Sequence, residues 1–279
     1  MDLCYNKYFL IDNRVLECKD FDSSFLDHGR SLYEVIRIID GVPLFLEKHL
    51  ERLINSANIT GLKLSLNIDQ INERLVKLIE ANGVSLGNAK IVFSFENESN
   101  NCTFYAYYLK HQYPTDEQYK NGVNTILYHG ERENPNAKVV NVNFRKMVDE
   151  KIREKQVYEA ILVDRNGNIT EGSKSNIFMI KNNEVYTAPV EAVLPGITRD
   201  TIIAVCQEAG YKLTEKKVHY TELNDLDGLF ISGTSPKVLP IKRVADKEFK
   251  SSSNKVVLDI MHGYDSVINQ YINNSKKEK

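Results

Sequence analysis

The stretch that decides the fold is YEAILVDRNGNITEGSKSNIFMIKNNEVYTA, residues 158–188. An apolar run from Tyr158 ends at Asp164 and the turn residues Arg165-Asn166-Gly167-Asn168. Glu171 follows directly, and Asn176–Ile180 and Glu184–Ala188 then flank Asn182-Asn183 as the two arms of a hairpin. Short strands follow one another here through turns, without a helix between them. Helical periods occur elsewhere, and the mixture lacks a regular strand–helix alternation. The class expected is therefore α+β rather than a doubly wound sheet.

Working outward, YFLIDNRVLE and YEVIRIIDGVPLFL read as strand pairs turning at Asp12-Asn13 and Asp40-Gly41. Leu46, Leu50, Leu53 and Ile54 form one stripe of a helix stopped by Gly61. A second amphipathic helix runs from about Ile68 to Ala81 and closes at Asn82-Gly83. AKIVFSFE and CTFYAYYLK are strands. VNTILYH, RKMVDEKIREKQ, TRDTIIAVCQEAG, GLFISGT and NKVVLDIMHGYDSVINQYI read as strand, helix, helix, strand and helix. HQYPTDEQYKNG is polar and carries Pro and Gly, which suits a linker. The expected domains are 1–111, a linker at 112–122, 123–273 carrying the key lysine, and a disordered tail at 274–279.

The 279 residues are 42% apolar and 27% charged, the balance of a globular chain with a sizeable core, and the net charge of −2 gives no field for nucleic acid. No apolar run reaches the length of a membrane span, and the N-terminus has no targeting pattern, so a cytoplasmic protein is expected. Cys4, Cys18, Cys102 and Cys206 show neither metal-site nor disulfide-framework spacing, so no metal is expected.

Four stretches could carry chemistry, and each also has an ordinary reading. Glu171 is either an exposed acid flanking a hairpin or a carboxylate aimed into a pocket. In LPGITRDTIIAV, residues 194–205, Pro195-Gly196 forces a turn and Thr198 can cap the helix that follows; its first N–H groups are either just capped or an anion site. SGTSPKVLP, residues 232–240, is a strand-end turn or a phosphate loop. His49 and Arg52 lie at i, i+3 on a helix, where Arg52 is either solvated or a phosphate fork.

Taken in order, these blocks resemble the class IV (fold-type IV) pyridoxal-phosphate enzymes: branched-chain aminotransferases, D-amino acid aminotransferases and aminodeoxychorismate lyases. The resemblance rests on EKHLERL, the lysine of NPNAKVVN (134–141), YEAILVDRNGNITEGSKSNIF, LPGITRDTI and GTSPKVLPI, and spans roughly residues 5–270. It implies a small N-terminal α/β domain and a larger C-terminal pseudo-barrel domain, with pyridoxal 5'-phosphate between them, in a homodimer. It also implies that Lys138 carries the cofactor covalently. Lys138 has no acidic neighbour closer in sequence than Glu133, which suits an amine that must become neutral to react. Glu171 would face the pyridine nitrogen and Arg52 would grip the phosphate. Ile197, Thr198 and Thr234 would complete the phosphate cup, and Tyr33 would line the substrate pocket.

Subfamily patterns fit less cleanly. Asn97 stands where D-amino acid aminotransferases carry an arginine, and Asn143 where branched-chain aminotransferases carry a tyrosine. Arg30, three residues before Tyr33, is therefore a candidate carboxylate anchor or an exposed turn residue, with backbone donors near Thr234-Ser235 as the competitor. The expected reaction is transamination of a small amino acid, with amino acid and 2-keto acid as partners and a branched-chain or other apolar L-amino acid first. D-amino acid transamination, a pyruvate-releasing lyase and a catalytically idle cofactor-binding protein are the alternatives.

Overall fold

Two asparagine- and aspartate-rich turns organise the first part of the chain. Asp12 takes φ +51° and lets β1 (Cys4–Ile11) fold back on β2 (Arg14–Glu17), with Ile11 opposite Arg14. Asp40 and Gly41, at φ +53° and +74°, join β3 (Arg30–Ile39) to β4 (Val42–Pro43) through a turn whose two central residues are both left-handed. The computed structural model describes residues 4–26, 30–96, 102–110 and 113–277. It divides into two units: Met1–Gln112 with Ala137–Val142 and Asn269–Lys279, and Tyr113–Asn136 with Asn143–Ile268.

The first unit is an antiparallel sheet ordered β2-β1-β6-β5-β3-β4, where β5 is Gly87–Phe95 and β6 is Cys102–Leu109. Helices α1 (Leu46–Thr60) and α2 (Ile68–Asn82) both end at a left-handed glycine, Gly61 and Gly83. Strand alternation divides the side chains. Leu32 and Ile36 of β3, Ile91 and Phe93 of β5 and Ala106 of β6 pack with Leu50, Leu53, Ile71 and Leu75 of the helices. The opposite face carries Val92 and Tyr107 with Tyr33, Tyr105, Phe21 and Phe25. Adjacent residues of β3, such as Tyr33 and Glu34, therefore serve different faces.

The second unit is built on ten strands: β7 (Val123–His129), β8 (Glu159–Val163), β9 (Asn168–Gly172), β10 (Asn176–Lys181), β11 (Glu184–Thr187), β12 (Leu213–Glu215), β13 (Val218–His219), β14 (Gly228–Gly233), β15 (Lys237–Val244) and β16 (Lys247–Glu248). Because β9 pairs with both β8 and β10, the path β10-β14-β15-β7-β8-β9 returns on itself as a closed pseudo-barrel. Ile161, Ile177, Met179, Leu229, Ile231 and Leu239 belong to its core. The other α-helices among the described residues are α3 (Asp116–Asn121), α4 (Val142–Lys155), α5 (Ile197–Glu208) and α6 (Lys255–Lys277), and no described helix is long and apolar enough to cross a membrane. The α+β class with an N-terminal α/β unit and a pseudo-barrel is as expected.

Several expectations need correction. The segment read as a linker contains α3, begun by a capping box between Thr115 and Gln118. Its end, Gly122, must be glycine: φ is +74°, and a Cβ would lie 2.9 Å from the Lys242 amide nitrogen. Ala137–Val142, with Lys138, belongs to the first unit and not to the C-terminal one. The tail expected to be disordered is helical to Lys277; Tyr271 donates to Glu47 at 2.7 Å and Lys276 pairs with Asp40 at 2.9 Å. The spacing of the cysteines indicated no disulfide framework, yet Cys4 and Cys18 are joined as a disulfide because the β1–β2 hairpin returns the chain to its start, with Cα atoms 5.7 Å apart.

Candidate active site

Lys138 is fixed through its backbone. Leu32 of β3 bridges Val139, the Tyr33 N–H donates to the Lys138 carbonyl at 3.2 Å, and the Val140 N–H donates to the Ser31 carbonyl at 3.0 Å. From the other side the Lys138 N–H donates to Oγ of Ser56, a buried residue of α1, at 3.1 Å. The short 137–142 segment thus extends the sheet beside β3, and the Lys138 ammonium lies 5.0 Å from the centre of the Tyr33 ring.

Behind Tyr33, on the helix face of β3, Glu34 meets His49 and Arg52, which the i, i+3 spacing of α1 presents together. Arg52 donates from Nε to Oε1 at 2.8 Å and from Nη2 to Oε2 at 2.7 Å, while His49 Nδ1 lies 2.7 Å from Oε2. All three are buried, Glu34 completely. Burial opposes the charge on Glu34, but Arg52 and the His49 hydrogen bond outweigh it and hold the carboxyl well below the usual carboxylate range. His49 is pushed down by burial, and the charges of Arg52 and Lys138 act the same way against the pull of Glu34. An ionised carboxylate can only accept, so the neutral imidazole carries its proton on Nδ1. Arg52 was expected as a phosphate fork; the Nε and Nη2 edge of that fork is engaged by Glu34.

In the second unit Glu171 is the next-to-last residue of β9, at 5% exposure. Arg132 Nε donates to its Oε1 at 2.8 Å and the Leu194 N–H to its Oε2 at 3.0 Å, so the carboxylate is gripped at both oxygens and oriented. Arg132 itself is steadied by the Pro135 carbonyl. Asn176, opposite Glu171 across β9 and β10, donates to the Leu194 carbonyl at 2.9 Å and so ties the same loop down. Gly196, not Thr198, caps α5, and a Cβ there would collide with the Asn176 side-chain oxygen. Thr198 sits inside the first turn, buried, its hydroxyl 3.3 Å from that of Tyr264. The first-turn N–H groups of Ile197 and Thr198 have no partner within the helix, as in every α-helix. Thr234 and Ser235 lie half-buried in the turn from β14 to β15.

The structure thus brings together Lys138, Tyr33 and, across β3, Arg52 in one unit, and Glu171, Ile197 and Thr198 in the other. Arg30 is not brought to Tyr33: it is exposed, and the strand period puts it on the face shared by Leu32 and Glu34. Asn97 lies outside the described residues. Sequence reasoning missed Glu34 and Arg132. Glu34 could have been found as a carboxylate within the apolar run of β3. Arg132 carries no local signal beyond its place after a strand end.

The sequence model of the amino-transferase class IV family matches residues 31–244. The chain is 32% identical over 241 residues to a D-alanine aminotransferase of Bacillus licheniformis, covering 82% of this chain and 84% of that protein. It is 27% identical over 256 residues to a branched-chain-amino-acid aminotransferase of Pseudomonas aeruginosa, covering 84% and 83%. Among solved structures, a branched-chain amino acid aminotransferase of Escherichia coli aligns at a TM-score of 0.85 and 22% identity over 95% of each chain.

Proposed function

This chain belongs to the class IV aminotransferases, a pyridoxal-phosphate-dependent family, and we propose that it transfers the amino group of a small apolar amino acid, a branched-chain L-amino acid first, to a 2-keto acid. The observation that carries this reading is Lys138, pinned by its backbone to β3 and Ser56 with its amine laid on the Tyr33 ring.

The donor set fits pyridoxal 5'-phosphate. Glu171 is a carboxylate held from behind by Arg132 and the Leu194 N–H, and its acceptor capacity suits a protonated ring nitrogen. In the second unit the first-turn N–H groups of α5 at Ile197 and Thr198 and the Thr198 and Thr234 hydroxyls suit a phosphate, and in the first unit the Arg52 guanidinium is of the type that does.

Bound there, pyridoxal phosphate supplies an electron sink that acidifies the substrate Cα–H. Lys138 would hold the cofactor through its amine, and that amine, when free and neutral, would be the base that takes the substrate's Cα proton. Glu171 would keep a proton on the ring nitrogen. Glu34 stiffens Arg52, so that a phosphate held by the guanidinium would cost it little further rotamer freedom. Tyr33 would bound the space next to the reacting amine, and Ser235, beside Thr234, would be a substrate contact. The unit that does this is a homodimer, which light scattering of the purified protein checks.

The D-alanine aminotransferase relative favours a second reading, D-alanine as the donor. One panel separates the readings. The holo-protein is mixed with L- and D-amino acids, and pyridoxamine phosphate and keto acid are followed. Branched-chain L-amino acids are expected to convert the cofactor; conversion by D-alanine alone selects the second reading. Pyruvate release without pyridoxamine phosphate would indicate a lyase, and no reaction with any member would overturn transamination.

A further inference from the structure

β5 is buried along nearly its whole length, yet its fourth residue is a lysine, Lys90, at 5% exposure. The register explains where its side chain goes. Lys90 stands opposite Val35 on one side and Tyr107 on the other, with Tyr33 as its diagonal neighbour across β3. It therefore lies on the sheet face away from α1 and α2. Its ammonium is 4.8 Å from the centre of the Tyr33 ring and 5.9 Å from that of Tyr107. The Tyr33 ring is also where the Lys138 ammonium rests, at 5.0 Å. The two ammonium groups can thus be no further apart than the sum of their distances to that one ring.

The strands β3 and β5 hold two other basic residues. Arg30 is exposed and on the helix face. Arg37 shares the face of Tyr33 but stands four residues further along β3, about 13 Å away at the usual strand rise. Only Lys90, of these three, shares a ring with the amine proposed to react. In any 2-amino acid the carboxylate is joined to the carbon that bears the nitrogen, so whatever holds the carboxylate must stand close to the amine. Such a group needs a charge or several N–H donors.

We propose that Lys90 is the cation that receives the substrate's α-carboxylate, with the Tyr33 and Tyr107 rings fixing its ammonium in place. This rests on the reading of Lys138 above. It makes Lys90, rather than Arg30, the residue that distinguishes a 2-amino acid from a simple amine.

The test uses the holo-protein with Lys90→Met, Lys90→Gln and Lys90→Arg. Calorimetry measures binding of 4-methylpentanoate, an unreactive carboxylate, with 4-methylpentanol as the neutral control. The wild type is expected to prefer the acid. Lys90→Met and Lys90→Gln are expected to bind the acid about tenfold to a hundredfold more weakly, the worth of a charge-assisted hydrogen bond, with the alcohol unchanged. Lys90→Arg is expected to recover most of the loss. In turnover, kcat/KM should fall by a similar factor for an amino acid and stay level for the corresponding amine. The proposal is overturned if any folded neutral variant keeps wild-type affinity for the acid, if acid and alcohol weaken equally, or if the wild type shows no preference. Two neutral variants and an arginine guard against one failing to fold. Because the binding arm needs no turnover, a wild type that binds the acid through Lys90 but transaminates nothing would defeat the proposed function and leave this assignment standing.

Discussion

In the first unit Arg52 gives two donors to Glu34, and the carboxylate is wholly buried; in the second, Arg132 gives one donor to Glu171, and a backbone N–H takes the other oxygen. The residue types are the same, but the roles are exchanged. Glu34 is enclosed between His49 and Arg52 and holds the arginine proposed to bind the phosphate. Arg132 is the partly exposed member of its pair and holds the carboxylate proposed to meet the ring nitrogen. A buried charged pair is weak evidence for stability by itself. Its value here is that each pair fixes one charged group in advance, so binding does not have to order it.

The largest expected effect comes from breaking the enclosed pair. Glu34→Gln leaves the Arg52 guanidinium buried without its counter-charge, and loss of one partner of a buried pair costs about 3–5 kcal/mol. Urea denaturation should show a loss of that size. A Glu34→Leu/Arg52→Met double variant should lose less stability than Glu34→Gln while losing affinity for the phosphate of the cofactor. If Glu34→Gln is as stable as wild type, the pair is not the support described.

Breaking the second pair should act on turnover instead. Glu171→Gln is expected to keep the cofactor and to lower kcat by about a hundredfold or more, the usual scale for a group acting mainly in the transition state. Arg132→Met removes one charge-assisted hydrogen bond, worth about 1.5–3 kcal/mol, and should lower kcat less. The two changes should not add: in the Glu171→Gln background Arg132→Met should do little more. Additive losses in a double-mutant cycle would mean that Arg132 acts on something other than Glu171.

The smallest effect separates two buried carboxyls by pH. Glu34 is held down, so its contribution is present above the ordinary carboxyl pKa of about 4.3 and is lost as pH falls through its folded value. Glu159, buried in β8, is pushed up by burial despite accepting the Lys174 N–H at 2.5 Å. Its stabilisation is therefore present below the ordinary pKa and is lost as pH rises through its folded value. Glu159→Gln should raise Tm at pH 7, by about 2–4 °C per kcal/mol regained, and the gain should vanish near pH 4. A gain that grows at low pH would reverse the assigned sign.

Much of this was legible in the sequence because it depends on local chemistry. Asp12, Asp40-Gly41, Gly61 and Gly83 mark turns and helix stops that need left-handed backbone, and all of them take it. β15 was hidden because Pro240, Lys242 and Arg243 break up the apolar run, although Pro240 pairs with Phe230 in the sheet. The motif order pointed to Lys138 and Glu171 but not to their supports. Glu34, Arg132 and Lys90 matter through partners 18, 39 and 57 residues away in sequence, which tertiary packing and, for Lys90, strand register bring together. The same register moves Arg30 off the face of Tyr33, which no reading of spacing along the turn could foresee.

Everything above turns on which lysine carries the cofactor. Borohydride reduction of the yellow holo-protein, followed by peptide mapping, reads this directly. The phosphopyridoxyl label is predicted on Lys138, with none on Lys90 and with Lys138→Ala left unlabelled. A label on any other lysine of the native chain would contradict the account.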